Sequence, residues 1–162
     1  MKTYSGRITK LKSNQVFVFG SNMDGFHGAG AAGFASFGEL RNAWRKHKYD
    51  EKPNGWKGRW NEKGRSEGFQ EGTEGKSYAI PTIRAPGFKR SIPLEIIRKA
   101  VVRFYIFALS HPELEFMVAY SVGGSNMNGY ADDEMASVFE QRAGIPENVV
   151  FEKGFARLVS AS

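Results

Sequence analysis

Two short runs of consecutive apolar residues constrain this chain more than any other feature. "VFVF" at residues 16–19 and "FMVAY" at 116–120 show no polar alternation, and each gives way to glycine within a few residues. A strand with one wet face alternates apolar and polar side chains. An unbroken run of this length fits a strand buried on both faces, as in a parallel sheet covered by helices. The segment "ITKLKSNQVFVFG" reads as a strand or two, "KSYAIPTI" as a short strand whose ladder ends at Pro81, and "ENVVFE" as a last strand.

Between the strands the spacing turns helical. The clearest helix begins at Pro93, a residue favoured in a first turn, and runs to about residue 109. Ile97, Val101, Phe104 and Ala108 share one face of it; Glu95, Lys99 and Arg103 share another at four-residue intervals. "ADDEMASVFEQRAGIP" predicts a shorter helix with acids in its first turn and Gly144 then Pro146 at its end. A weaker pattern, Phe34, Phe37, Leu40 and Trp44, is interrupted by Gly33 and Gly38, and Ser36 with Glu39 has the form of a capping box that restarts it. Strand alternating with helix predicts an α/β domain. At 162 residues and 41% hydrophobic content, one domain accounts for the whole chain.

The glycines after the two apolar runs raise a question of their own. "GSNMDGFHGAGAAG", residues 20–33, and "GGSNMNG", residues 123–129, strip side-chain bulk from the places where strands should hand over to helices. Either the backbone approaches a ligand there or it packs closely against itself. Neither segment is a Walker phosphate loop, and neither has the full dinucleotide spacing. On the same sheet edge, however, the two would form facing walls lined by backbone N–H groups, suited to a pyrophosphate.

Several chemistries are excluded or disfavoured. With no cysteine, disulfides, zinc–thiolate centres and thiol nucleophiles are ruled out. His27, His47 and His111 stand too far apart in sequence to suggest a metal site, and no cofactor is expected. The opening "MKTYSGRITKLK" lacks the apolar core of a signal peptide and no run is long enough to span a bilayer, so a soluble, cytoplasmic protein without a membrane partner is expected.

The formal charge of +6 is unevenly spread. Residues 41–90 hold 13 Lys/Arg against 6 Asp/Glu, leaving 10 against 11 for the remainder. The basic stretch, residues 45–76, interleaves its cations with Trp56, Trp60 and Phe69 and reads as a glycine-punctuated insertion. It is either a solvated loop or a surface on which bases stack, which keeps RNA or DNA among the expected partners.

Taken together, "GRIT", "VFVFGSN", "GAGAAGFA", "SYAIPT", a long helix and "MVAYSVGGSNMNGYADDE" resemble the macro domain family, in a divergent branch with Phe-Gly-Ser-Asn and Ser-Tyr-Ala-Ile-Pro-Thr signatures. The resemblance spans most of the chain outside the basic insertion. It implies a three-layer α/β/α fold around a mixed, largely parallel sheet, and a cleft for ADP-ribose or an ADP-ribosylated macromolecule. It assigns Asn22 to the distal ribose, with Gly20 and Ser21 beside it, Gly28, Ala29 and Gly30 to the first ligand loop, and Gly123, Gly124, Ser125, Asn126 and Gly129 to the loop around the diphosphate. Tyr130 falls where an aromatic often flanks the ribose. If the family's hydrolytic activity is present, water attacks the anomeric carbon, Asn22 positions the sugar, and Asp24 or His27 handles a proton. The chain departs from the family at Arg7, which replaces an aspartate that accepts from the adenine amino group. Arginine has only donors, so a different base contact or a phosphate contact is expected there. Binding without turnover, and nucleic-acid binding through the insertion, are the nonenzymatic alternatives.

Overall fold

The computed structural model describes residues 1–23, 54–55, 58–59, 66–71, 75–85, 87–120, 122–124 and 127–161. Its strands are β1 (Lys2–Tyr4), β2 (Gln15–Asn22), β3 (Asn54–Gly55), β4 (Gly58–Arg59), β5 (Gly68–Glu71), β6 (Lys76–Ile83), β7 (Glu115–Val118) and β8 (Val149–Glu152). The described helices are α1 (Leu94–Ser110), α2 (Asp132–Phe139) and α3 (Lys153–Ala161). Six strands form one sheet in the order β1-β8-β7-β2-β6-β5, while β3 and β4 pair separately. All neighbours in the large sheet are parallel except β5, which runs antiparallel to β6. The protein is thus an α/β domain on a mixed, largely parallel sheet.

The unbroken apolar runs are explained by burial on both faces. Val16 and Val18 of β2 enter one core with Tyr78, Ile80, Phe116, Val118, Val149 and Phe151, whereas Phe17 and Phe19 enter a second with Ala79, Met117 and Val150. All three described helices pack on the first face. Ile97, Val101, Phe104 and Ala108 of α1, the stripe read from the sequence, are fully buried there. Ile97, Val101 and Phe104 each contribute about 1.5–3 kcal/mol through removal from water. On the second face Ile8 is buried, with Leu11 and Tyr4 packed against the same cluster. Two apolar faces are compatible with a three-layer arrangement; the proposed helical segment from Phe34 to Trp44 lies outside the described residues.

Several local expectations are corrected. Pro81 does not end the ladder of β6: Ser21 pairs with Pro81, and the register then shifts so that Asn22 pairs with Ile83. The proline is tolerated because β5 begins its pairing at Ala79, leaving β2 as the only strand neighbour of β6 at this height among the described residues. The basic insertion is not wholly a loop. Its residues 68–71 form edge strand β5, and Phe69 stacks on Phe107 at 5.3 Å between ring centroids, so this aromatic serves the core rather than a nucleic-acid face. Glu67 accepts two 2.7 Å hydrogen bonds from Arg103 of α1 and anchors the start of the strand. Trp56 and Trp60 lie outside the described residues. Helix α2 stops at Phe139, whose carbonyl takes the Tyr105 hydroxyl at 2.6 Å, and Gly144 instead closes a separate turn with φ +86°. Glu95 pairs with Arg98 rather than Lys99.

β1 and α3 were not foreseen. α3 follows β8 without a loop because Glu152 Oε2 accepts from the N–H groups of Gly154 and Phe155 at 2.7 and 3.1 Å, capping the helix from the strand's last residue. Asn148 ties the far end together, donating to the carbonyls of Ala108, His111 and Leu114. No described helix is long and apolar enough to cross a membrane.

Candidate functional site

Connectivity singles out one place on the sheet. Among the described residues, the chain after β2 next joins the sheet on the β6 side, whereas from β7 it proceeds through α2 to β8 on the other side. β2 and β7 are parallel neighbours, paired from Gln15–Glu115 to Val18–Val118, and the Ala119 N–H donates to Val18 O at 2.8 Å beyond the last pair. Their carboxyl ends therefore flank a topological switch point, where open α/β sheets bind ligands. The two glycine-bearing exits, at Gly20 and Gly123, are brought to the same edge.

At the β2 exit the glycine answers to packing. A Cβ on Gly20 would stand 3.1 Å from Thr82 Oγ1, the side chain at the register shift in β6. Ser21 is buried and its hydroxyl donates to Ser66 O at 2.6 Å, which makes it a tether for the chain entering β5. Asn22 is 7% exposed at the tip of the strand. The Met23 N–H donates to both Ile83 O and Arg84 O, at 3.2 and 3.1 Å, so β2 and the β6–α1 connection leave the sheet together. Asp24, His27, Gly28, Ala29 and Gly30 lie outside the described residues.

At the β7 exit the glycine answers to backbone shape. Gly123 has φ +79° with open space where a Cβ would be, and with Gly124 it is exposed. Its N–H is already engaged: Asp132, the first residue of α2, accepts from Gly123 N at 2.9 Å through Oδ2 and from the Tyr120 hydroxyl at 2.6 Å through Oδ1. Tyr120 is held by stacking on Phe155, with centroids 4.1 Å apart. Ser125 and Asn126 lie outside the described residues. Beyond them Asn128 Oδ1 accepts from Tyr130 N at 2.9 Å, and Gly129, with φ +81°, packs so tightly that a Cβ would come 2.7 Å from Lys89 Cβ.

Tyr130 is buried beneath this loop. Its hydroxyl donates to Ile92 O at 2.6 Å and the Arg90 guanidinium lies 4.6 Å from its ring centroid. Arg90 also donates two 2.9 Å hydrogen bonds to Glu134 and holds an unusual φ of +53° while its N–H reaches Asn128 O. The Arg90 hydrogen bonds, assisted by the Ala131 N–H, hold Glu134 below the ordinary carboxylate range, and Glu134 in turn raises Arg90. The turn at residues 89–90 is thereby latched to the β7–α2 loop.

Arg7 is exposed just past β1 and next to the buried Ile8, on the carboxyl side of the parallel strands. Tyr4 reaches from β1 to donate to Val118 O at 2.7 Å; burial, and next the nearby Glu152, push its hydroxyl pKa upward. Burial also pushes Tyr78 up to about 12, with Glu67 adding to the shift. Met23, Phe88, Val122 and Met127 are exposed in the connections leaving β2, β6 and β7. Asp132, Tyr120, Thr82 and Arg90 went unnoticed in the sequence. The first-turn acids were visible, but only as partners of a helix dipole.

A cleft of about 360 Å³, lined by Met1, Glu140, Ile145, Pro146, Glu147 and Val159 among others, opens at the amino ends of β1 and β8, on the opposite side of the sheet from the switch point. His111 is likewise remote, stacked on Phe107 with Nδ1 2.9 Å from the Phe107 carbonyl. Among the described residues no group of three or more His, Asp and Glu is placed to hold a metal ion. Comparisons with protein families, characterised proteins and solved structures find no match to this chain.

Proposed function

We propose that the protein binds ADP-ribose or a closely related nucleotide at the carboxyl edge of the sheet, between the exits of β2 and β7, in the manner of a macro domain. The observation that supports this reading is the parallel adjacency of β2 and β7 at the switch point, which brings the two glycine-bearing exits to one edge of the sheet. Asn22 at the strand tip is an amide able both to donate to and accept from sugar hydroxyls. Exposed Met23 offers apolar contact at the same exit, and exposed Arg84, whose carbonyl takes the Met23 N–H, adds a cation. Turnover would call on Asp24 or His27 as proton carriers, and both lie outside the described residues.

A thermal-shift panel of ADP-ribose, ADP, NAD, adenosine and a short oligonucleotide tests the proposal. A ligand present at a hundredfold excess over its dissociation constant adds about 2.7 kcal/mol to stability, an easily read shift. ADP-ribose is expected to raise the melting temperature, and Met23→Glu, an exposed change at the β2 exit, to abolish that rise while leaving the unliganded melt unchanged. No shift with any nucleotide overturns the proposal. A response to the oligonucleotide alone, lost steeply with added salt, replaces it with nucleic-acid binding.

A further inference from the structure

The β7 exit contains its own anion. Asp132 uses both carboxylate oxygens on donors of the loop, one on the Gly123 N–H and one on the Tyr120 hydroxyl, and the Tyr120 ring is fixed against Phe155. A phosphate seeking the Gly123 N–H would have to displace two charge-assisted hydrogen bonds, which are about twice as strong as neutral ones. It would also meet Asp133 in the same helical turn, whereas Glu134 is neutralised by Arg90. Among the described residues, exposed Arg84 stands at the β2–β6 exit, whereas beside the β7 exit the Arg90 guanidinium is committed to Glu134, and Arg7, past β1, lies beyond β8.

Resting on the nucleotide-site reading above, we infer that Asp132 is a specificity-determining residue that keeps phosphate off the Gly123 end of the second glycine loop and so orients the ligand. The anionic part of the nucleotide lies toward the β2–β6 side. Hydroxyl-bearing, uncharged groups lie toward β7, where a carboxylate accepts from them. The Gly123 end of the loop that sequence resemblance assigns to the diphosphate is, in this chain, matched to a neutral moiety. Ligands with charge at both ends are selected against.

Calorimetric titration of ADP, ADP-ribose and adenosine into wild type and Asp132→Asn tests this. Asparagine keeps the shape and an acceptor for the N–H while removing the charge. ADP is expected to bind the variant about five- to tenfold more tightly, on the order of one unit charge acting through water at about 4 Å, and adenosine to bind both alike. A merely structural Asp132 would weaken all three ligands together. If Asp132→Asn loses the fold, Asp132→Ser, with a shorter neutral acceptor, carries the same expectation. Equal or weaker ADP binding to a folded variant, with wild type binding ADP-ribose, overturns this inference and leaves the nucleotide site standing. Nucleotide binding by the variant alone supports the inference and removes the proposed function of the wild type. Binding by neither overturns both.

Discussion

A Cβ placed on Gly20 would press on Thr82 at 3.1 Å, whereas one placed on Gly123 would meet nothing within 4 Å but would require a left-handed backbone at φ +79°. The two exits look alike in sequence, each a strand running into glycine, yet glycine is needed for space at one and for backbone freedom at the other. The difference follows from their neighbours. β2 is flanked at its tip by β6, whose register shift puts Thr82 beside Gly20. β7 ends earlier than its neighbour, at Val118, so its continuation bends freely and is steered by Asp132. Gly129, at the far end of the second loop, combines both demands.

That contrast orders the expected effects of substitution. Gly129→Ala should cost most, about 3 kcal/mol, because a left-handed alanine and a 2.7 Å collision with Lys89 Cβ add together; chemical denaturation measures it, and a loss under 1 kcal/mol would show that the 89–90 turn yields. Next is Gly20→Ala, about 1–2 kcal/mol from overpacking alone. Here Thr82→Ala in the same chain should recover much of the loss, and a double-mutant cycle without coupling would refute the packing explanation. Gly123→Ala should cost about 1 kcal/mol through its backbone only, and Gly123→Asn less, since asparagine tolerates the left-handed region. Near-equal cost for alanine and asparagine would mean that side-chain space, not φ, governs this exit.

The smallest effect concerns the latch joining the 89–90 turn to the second loop. Glu134 has its pKa lowered in the folded state from 4.5, so its contribution is present above that value and lost as pH falls through the lower folded value. Arg90 is exposed and Glu134 only half-buried, so little stability is at stake. Melting curves of wild type and Glu134→Gln should therefore differ slightly at pH 7 and converge as the pH falls below the ordinary carboxylate range. A difference that persists in acid would show that the glutamate acts by its shape rather than its charge.

How much of this was legible in the sequence varies with the range of the forces involved. The doubly buried strands and α1 were readable because apolar periodicity is written within a few residues of itself. β5 was not: Gly68–Glu71 sits in a charged, glycine-rich stretch, and it becomes a strand because the open edge of β6 offers it partners and Phe107 offers Phe69 a surface. β1 owes its form to its register with residues 150–152. α3 did leave a signal, in the spacing of Phe155, Ala156 and Val159, masked by its direct continuation from β8. At the candidate site Asn22 stands at the tip of β2 and Gly123 in the connection after β7, but Gly20, read as the start of a loop, is still inside the ladder, paired with Ile80. Tyr130 was picked out as an aromatic but lies buried with its hydroxyl on Ile92 O, and Asp132 was passed over.

By itself, then, the sequence determined which segments must be buried, where the chain must lose side-chain bulk, and that strand and helix alternate; these are properties of short stretches and of their apolar or flexible residues. Tertiary structure alone decided that β2 and β7 are neighbours, that their exits share an edge, and that the Gly123 N–H meets a carboxylate nine residues away. Strand order is fixed by pairing across most of the chain, and a hydrogen bond is fixed by where two folded segments meet. Neither leaves a local mark for a reader of residues to find.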